Sequence, residues 1–192
     1  MRFHLPKTDL MSFLDGVAKD VSKPMQAPSM KKLESYFSDI AYAPSSVLLR
    51  VLGCKDETLI KDLSQSLGQA VQITNILKDI REDADAGRLY IPEDFLQQAG
   101  IETTDPKAVI IDKNFNIARQ AFASLAEESY KKSFRLIEKL DKKTARSIRA
   151  IAYIHKEYFD IMNKRGWEII SPKPEIGAFS RLYLVLKAFS GK

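Results

Sequence analysis

The sequence predicts an all-α protein, on three observations. Apolar residues recur at three- and four-residue spacing along most of the chain, and no stretch shows the apolar–polar alternation of a half-buried strand. Glycine and proline number only eight each in 192 residues, and aromatic residues make up 9%, which leans away from a many-turned β fold. Residues that start and stop helices stand at the ends of the apolar runs. There is no internal repeat and no low-complexity segment. Long helices of this kind can enclose a pocket between them.

The elements follow in order. Thr8-Asp9 caps a short helix through Leu10, Phe13 and Leu14, which Lys23-Pro24 and Ala27-Pro28 interrupt. Ser29 caps the next, with Leu33, Tyr36, Phe37, Ile40 and Ala41 on its apolar face; Pro44 should kink or break it. Ser45 to Leu52 resumes the pattern and ends at Gly53. Asp56 or Thr58 opens a helix that runs without a breaker to Gly87. Tyr90-Ile91-Pro92 reads as an extended connector, Pro92 opens a short helix that Gly100 ends, and Thr103 to Pro106 reads as a loop. Long helices are expected over Lys113 to Leu140 and Lys142 to Arg165. Gly166 and Pro172-Lys173-Pro174 close the second, and a last helix covers about Gly177 to Phe189.

Length and composition fit a single domain over residues 1–192 with a sizeable core, 45% of residues being hydrophobic. The net charge of +5 favours anionic partners, but the basic residues form no single tract, which argues against nucleic acid. Cys54 is the only cysteine, so an intrachain disulfide and a cysteine-rich zinc site are excluded, and a reducing cytoplasm fits best. The segment Met1 to Leu10 has no apolar core of a signal peptide, and no run reaches the roughly 20 apolar residues that span a bilayer. Peripheral contact with the inner membrane stays open. His4 and His155 are far apart and lack metal-ligand spacing; His155 reads as a surface or partly buried helix residue. No serine nucleophile elbow, P-loop or dinucleotide fingerprint is present.

The chemistry concentrates on the fourth helix. At about 100° per residue, with Asn75 at 0°, Glu82 falls near −20°, Asp79 near +40°, Gln72 near +60° and Asp83 near +80°. The five polar side chains share one arc of about 100°, and Ile73, Ile76, Leu77 and Ile80 fall elsewhere. Asp79 and Asp83 repel each other unless a cation intervenes. Mg²⁺ prefers oxygen ligands and is usually shared between a few carboxylates and substrate phosphates. A solvated polar stripe gives the same pattern, and periodicity alone does not choose between the two.

The string Leu67-Gly68-Gln69-Ala70-Val71-Gln72-Ile73-Thr74-Asn75-Ile76-Leu77-Lys78-Asp79-Ile80-Arg81-Glu82-Asp83, followed by Gly87-Arg88-Leu89-Tyr90-Ile91-Pro92, resembles the second aspartate-rich motif of the squalene/phytoene synthase family. The flanks agree: Leu14-Asp15-Gly16, Asp20, Ala27-Pro28-Ser29 through Tyr36, and Arg165-Gly166-Trp167 resemble bacterial presqualene diphosphate synthases. The resemblance implies a helical bundle of the isoprenoid (trans-prenyl) synthase type around a deep apolar cavity. It implies a Mg²⁺-dependent prenyltransferase that condenses two prenyl diphosphates head to head, giving presqualene diphosphate, squalene or phytoene. NADPH enters only where squalene is the product. By the same resemblance Asp79 and Asp83, with Asn75, are the Mg²⁺ ligands. Gln72, Asn75, Lys78, Arg88 and Tyr90 bind the diphosphate end, with Lys78 standing where the family often has arginine, and Glu82 borders the site. Tyr153 matches a catalytic tyrosine on a late helix facing the cavity, with core packing as its other reading.

The family has a further Asp-x₃-Asp motif far upstream. Here only 74 residues precede Asn75 and they match the segment between the two motifs; Asp15 and Asp20 lack the spacing. The bundle is therefore expected to be incomplete at its N-terminus, with a separate N-terminal half or a homo-oligomer supplying the facing wall. Alone, the chain is expected to bind diphosphate–Mg²⁺ weakly and to have little or no synthase activity. A non-catalytic assembly or binding protein of the same family, or the remnant of a split gene, is the alternative.

Overall fold

α4 (Glu57–Asp85) is the axis on which the protein is built. Its first turn is capped by Asp56, whose carboxylate accepts from Leu59 N at 3.0 Å. It stops at Gly87, whose φ of +74° a side chain would disfavour. Leu63, Ala70, Ile73, Leu77, Ile80 and Ala84 are buried along its length. They face α7 (Phe115–Ile137), whose Ala118, Phe122, Ala126, Tyr130 and Ile137 are equally buried. Within this seam Thr74 Oγ1 donates to the Ala70 carbonyl at 2.7 Å, which leaves the Tyr130 hydroxyl to donate to Thr74 Oγ1 at 3.0 Å. The helix pair thus buries a polar group without leaving it unpaired.

The structure is a computed structural model describing residues 5–22 and 24–190; His4 and Lys23 of the sequence expectations lie outside them. The described residues form nine α-helices and no strand. The remaining helices are α1 (Lys7–Ser22), α2 (Met30–Phe37), α3 (Ala43–Val51), α5 (Glu93–Gln98), α6 (Pro106–Ile110), α8 (Lys142–Arg165) and α9 (Ala178–Ser190). α3 and α8 pack on further faces of α4, and α9 lies on α8. No helix among them is long and apolar enough to cross a membrane.

Two local outcomes differ from expectation and one makes it specific. The kink or break expected at Pro44 takes the form of an irregular turn rather than a break. A π-helical turn, Ser38–Tyr42, joins α2 to α3 and sets Pro44 in the first turn of α3, where a missing N–H costs least. The stretch before Pro106 is not only loop: Asp105 accepts from Ala108 N at 2.8 Å and caps α6. α1 begins at Lys7 and runs 16 residues, longer than the short helix its cap suggested.

The connector after α4 pairs with the segment before α2. Leu89 N donates to Met25 O at 2.7 Å and Ala27 N to Leu89 O at 2.8 Å, an isolated parallel bridge of the Gln26–Leu89 type. This pairing carries Arg88 and Tyr90 back toward α1 and α2. α1 meets the π turn so closely that a Cβ on Gly16 would stand 2.7 Å from Asp39 Cβ.

Candidate functional site

The polar arc of α4 forms as expected. Gln72, Asn75, Lys78, Asp79 and Asp83 are half-buried, Glu82 is exposed, and the intervening Ile73, Ile76, Leu77 and Ile80 are buried. Two lysines meet the arc. Lys78 Nζ donates to Asn75 Oδ1 at 3.2 Å and lies 3.5 Å from Asp79 Oδ2, with Tyr158 of α8 under its ammonium at 5.1 Å. Lys173, on the loop between α8 and α9, contacts Asp79 Oδ1 and reaches Glu82 Oε2 at 2.9 Å. Its contacts with Asp79 and then Glu82 hold its ammonium above the usual lysine range. Asp79 Oδ1 is nonetheless buried and lacks a well-directed hydrogen bond, the lysine contact being an ion pair only.

Asp83 is the strained member. Burial, then the neighbouring Asp79 charge, lifts its carboxyl from 3.8 to about 6, against the pull of Arg88 at 3.8 Å. Asp20, on the last full turn of α1, adds a further negative field. The Tyr90 hydroxyl donates to Asp20 Oδ1 at 2.7 Å, and the Tyr90 ring stacks on Tyr36 at 5.3 Å. Burial, then the hydrogen bond to Asp20, raises Tyr90; burial, then the Asp20 charge, pushes Tyr36 up to about 12. Both phenols are therefore neutral hydrogen-bonding groups near neutral pH.

Beside the arc, α3, α4, α8 and the π turn enclose an apolar cavity of about 150 Å³. Leu48, Leu49, Leu67, Val71, Ile148 and Ile151 line it, and Gln72 stands at its polar border. His155 lies one turn beyond Ile151, toward Lys78. Burial, then the Lys78 charge, lowers its pKa, and its Nδ1 is buried without a partner.

The structure therefore brings Gln72, Asn75, Lys78, Asp79, Asp83 and Arg88 onto one continuous surface. Two expected members sit otherwise. Tyr153 does not share the cavity face of α8: it is about 160° round the helix from Ile151. Its ring packs 5.6 Å from Phe134, and Lys187 of α9 covers it at 5.1 Å. Tyr90 adjoins the arc, but its hydroxyl is committed to Asp20. Sequence spacing passed over Asp20, Tyr36, His155, Tyr158 and Lys173. Asp20 and Lys173 arrive from other segments, and no periodicity on α4 reports them. His155 shares a helix face with Ile148 and Ile151, a signal that was present.

The donor set fits a cation shared with an anion rather than a cation caged by protein. Among the described residues no group of three or more acidic, histidine or cysteine side chains converges on one point. Asn75, Asp79 and Asp83 instead climb one face at four-residue steps, with a buried oxygen on Asp79 short of a hydrogen bond. Mg²⁺ commonly keeps waters and takes its remaining ligands from phosphate oxygens, which suits such an open row.

Comparison with known proteins gives the family and the fold. The family description "Squalene/phytoene synthase" matches residues 1–181. The chain is 34% identical over 165 residues to a presqualene diphosphate synthase of Sinorhizobium fredii, covering 86% of this chain and 59% of that protein. It is 30% identical over 188 residues to a presqualene diphosphate synthase of Rhodopseudomonas palustris, covering 96% and 66%. The fold is shared with a crystal structure of a dehydrosqualene synthase (TM-score 0.84, 24% identity, 99% of this chain and 66% of that one). It is also shared with a squalene synthase from Alicyclobacillus acidocaldarius (TM-score 0.77, 21% identity, 85% and 61%). The chain thus spans 59% and 66% of the lengths of these two curated relatives.

Proposed function

The chain belongs to the squalene/phytoene synthase family, and from that premise we propose that it takes part in the head-to-head condensation of prenyl diphosphates, holding one diphosphate on the polar arc of α4. The observation that carries this reading is the meeting of two surfaces at Gln72. The apolar cavity lined by Leu67, Val71, Ile148 and Ile151 ends where the row Asn75, Asp79 and Asp83 begins. A prenyl diphosphate has the same two halves, an apolar chain and a strongly anionic head. The cavity excludes water from the chain, and the arc orients the head.

In this reading Asn75, Asp79 and Asp83 hold the divalent cation, Lys78 neutralises a diphosphate oxygen, and Arg88 balances Asp83. Magnesium held there supplies Lewis-acid stabilisation of the charge that develops on the departing diphosphate. Tyr36 and Tyr90, neutral and stacked, fix the turn that carries Arg88. NADPH enters only if squalene is the product. The substrate is a prenyl diphosphate such as farnesyl diphosphate, and we propose no nucleic-acid partner. Residues 1–192 act as one all-α domain in the cytoplasm, with peripheral contact at the inner membrane as the way an apolar substrate reaches the cavity.

Only one Asp-x₃-Asp pair occurs in the 192 residues, Asp79 with Asp83. A clamp on several cations needs a second acidic face, from a separate N-terminal half or another subunit. The 192-residue chain alone therefore binds the diphosphate–cation complex weakly and turns over little. The test is incubation with farnesyl diphosphate and Mg²⁺, with product identified by mass spectrometry. Little or no presqualene diphosphate is expected from the chain alone. Conversion at an ordinary enzymatic rate would contradict the one-sided clamp.

A further inference from the structure

Lys173 reaches the acidic arc from outside α4. It belongs to the loop between α8 and α9, at a place set by two anchors. Arg119, fully buried, donates to the Trp167 and Ile169 carbonyls of that loop and to the Leu77 carbonyl of α4 at 3.2 Å. Arg165 donates to the Pro172 carbonyl. With the base of the loop held in this way, the Lys173 ammonium lies on Asp79 and on Glu82 at 2.9 Å. Its side chain is 42% exposed, so it has open space to swing into.

We infer that Lys173 is a specificity-determining residue that makes the acidic arc reject free divalent cations and accept them together with a diphosphate. The inference rests on the assignment of Asp79 to a cation–diphosphate site. Asp79 meets Lys173 through Oδ1 and Lys78 through Oδ2. A free cation arriving at Asp79 must displace the ammonium from one of its two carboxylates, leaving Glu82 as its single anionic partner, and it must also give up part of its hydration. A cation arriving with diphosphate brings oxygens that carry negative charge. Lys173 then exchanges a carboxylate for a phosphate oxygen and loses no ion pair. The same lysine therefore opposes one ligand and favours the other. A merely structural ion pair would move both affinities the same way or neither.

The experiment titrates wild type, Lys173→Gln and Asp79→Asn with Mn²⁺ alone, and with Mn²⁺ in the presence of inorganic diphosphate. Bound metal is followed by electron paramagnetic resonance. Fluorescence of Trp167, the only tryptophan and a residue at the base of the loop, gives a second readout. In Lys173→Gln, free Mn²⁺ is expected to bind three- to tenfold more tightly and the Mn²⁺–diphosphate complex at least threefold more weakly. The fluorescence change on loading is expected in wild type and lost in the variant. Wild-type binding that depends on Asp79, with free Mn²⁺ bound no more tightly by Lys173→Gln, overturns the inference and leaves the site intact. Mn²⁺ binding that Asp79→Asn does not weaken, with or without diphosphate, overturns both.

Discussion

Tyr90 and Asp20 are 70 residues apart and share a 2.7 Å hydrogen bond. It ties the connector after α4 to the last turns of α1, and so sets where Arg88 stands beside Asp83. The Tyr90→Phe variant keeps the ring that stacks on Tyr36 and removes only the donor. Asp20 then lies partly buried without that partner, at a cost of about 1–2 kcal/mol in urea denaturation. Affinity for a diphosphate–Mg²⁺ complex falls with it, as Arg88 loses its fixed position. Unchanged stability and unchanged affinity would show that the contact is incidental.

Asp83 pays a penalty in the folded protein that its replacement removes. Its carboxyl titrates near 6 when folded and near 3.8 when unfolded, so the folded state binds the extra proton. The stability from this group is present below about pH 4 and is lost as pH rises through 6. Asp83→Asn is therefore expected to stabilise the metal-free protein at pH 7.5 by about 1–2 kcal/mol, after discount for partial exposure, and hardly at all at pH 4. The same variant weakens cation–diphosphate binding. Thermal unfolding at the two pH values, read beside a binding titration, checks both halves.

Gly16 is where α1 touches the π turn, and an added methyl would meet Asp39 Cβ at 2.7 Å. Gly16→Ala gains helix propensity but forces α1 outward, for a net loss of about 1–2 kcal/mol. Because α1 carries Asp20, the Tyr90 hydrogen bond lengthens too. A more stable Gly16→Ala protein would mean that α1 shifts without resistance.

Arg119→Met removes the cation that gathers the Leu77, Trp167 and Ile169 carbonyls and leaves the two loop carbonyls, Trp167 and Ile169, without that donor. A loss of about 3 kcal/mol is expected, together with a red-shifted Trp167 emission as the loop loosens. Retained emission would place the loop anchor elsewhere.

The helices that carry the site were legible because their signals are local. Asp56, the run from Leu59 to Ile80 and Gly87 delimit α4, and a 100° rotation per residue puts Gln72, Asn75, Asp79 and Asp83 together whatever the rest of the chain does. What was not legible depends on contacts between segments. The π turn at Ser38–Tyr42 exists because a continuous rod must accommodate Pro44 while packed on α1 and α4. Lys173 reaches Asp79 through a loop positioned by Arg119, and Asp20 reaches Tyr90 through the bridge at Leu89. Tyr153 rests on resemblance alone, and its angle from Ile151 puts the two on different faces of α8.

The central claim is that the arc of α4 binds a diphosphate through a divalent cation held by Asp79 and Asp83. Isothermal titration of the 192-residue chain with inorganic diphosphate, with and without Mg²⁺, tests it most directly. The account predicts weak binding that requires Mg²⁺ and falls at least tenfold in both Asp79→Asn and Asp83→Asn. Binding that is indifferent to Mg²⁺, or equal in wild type and both variants, would contradict it.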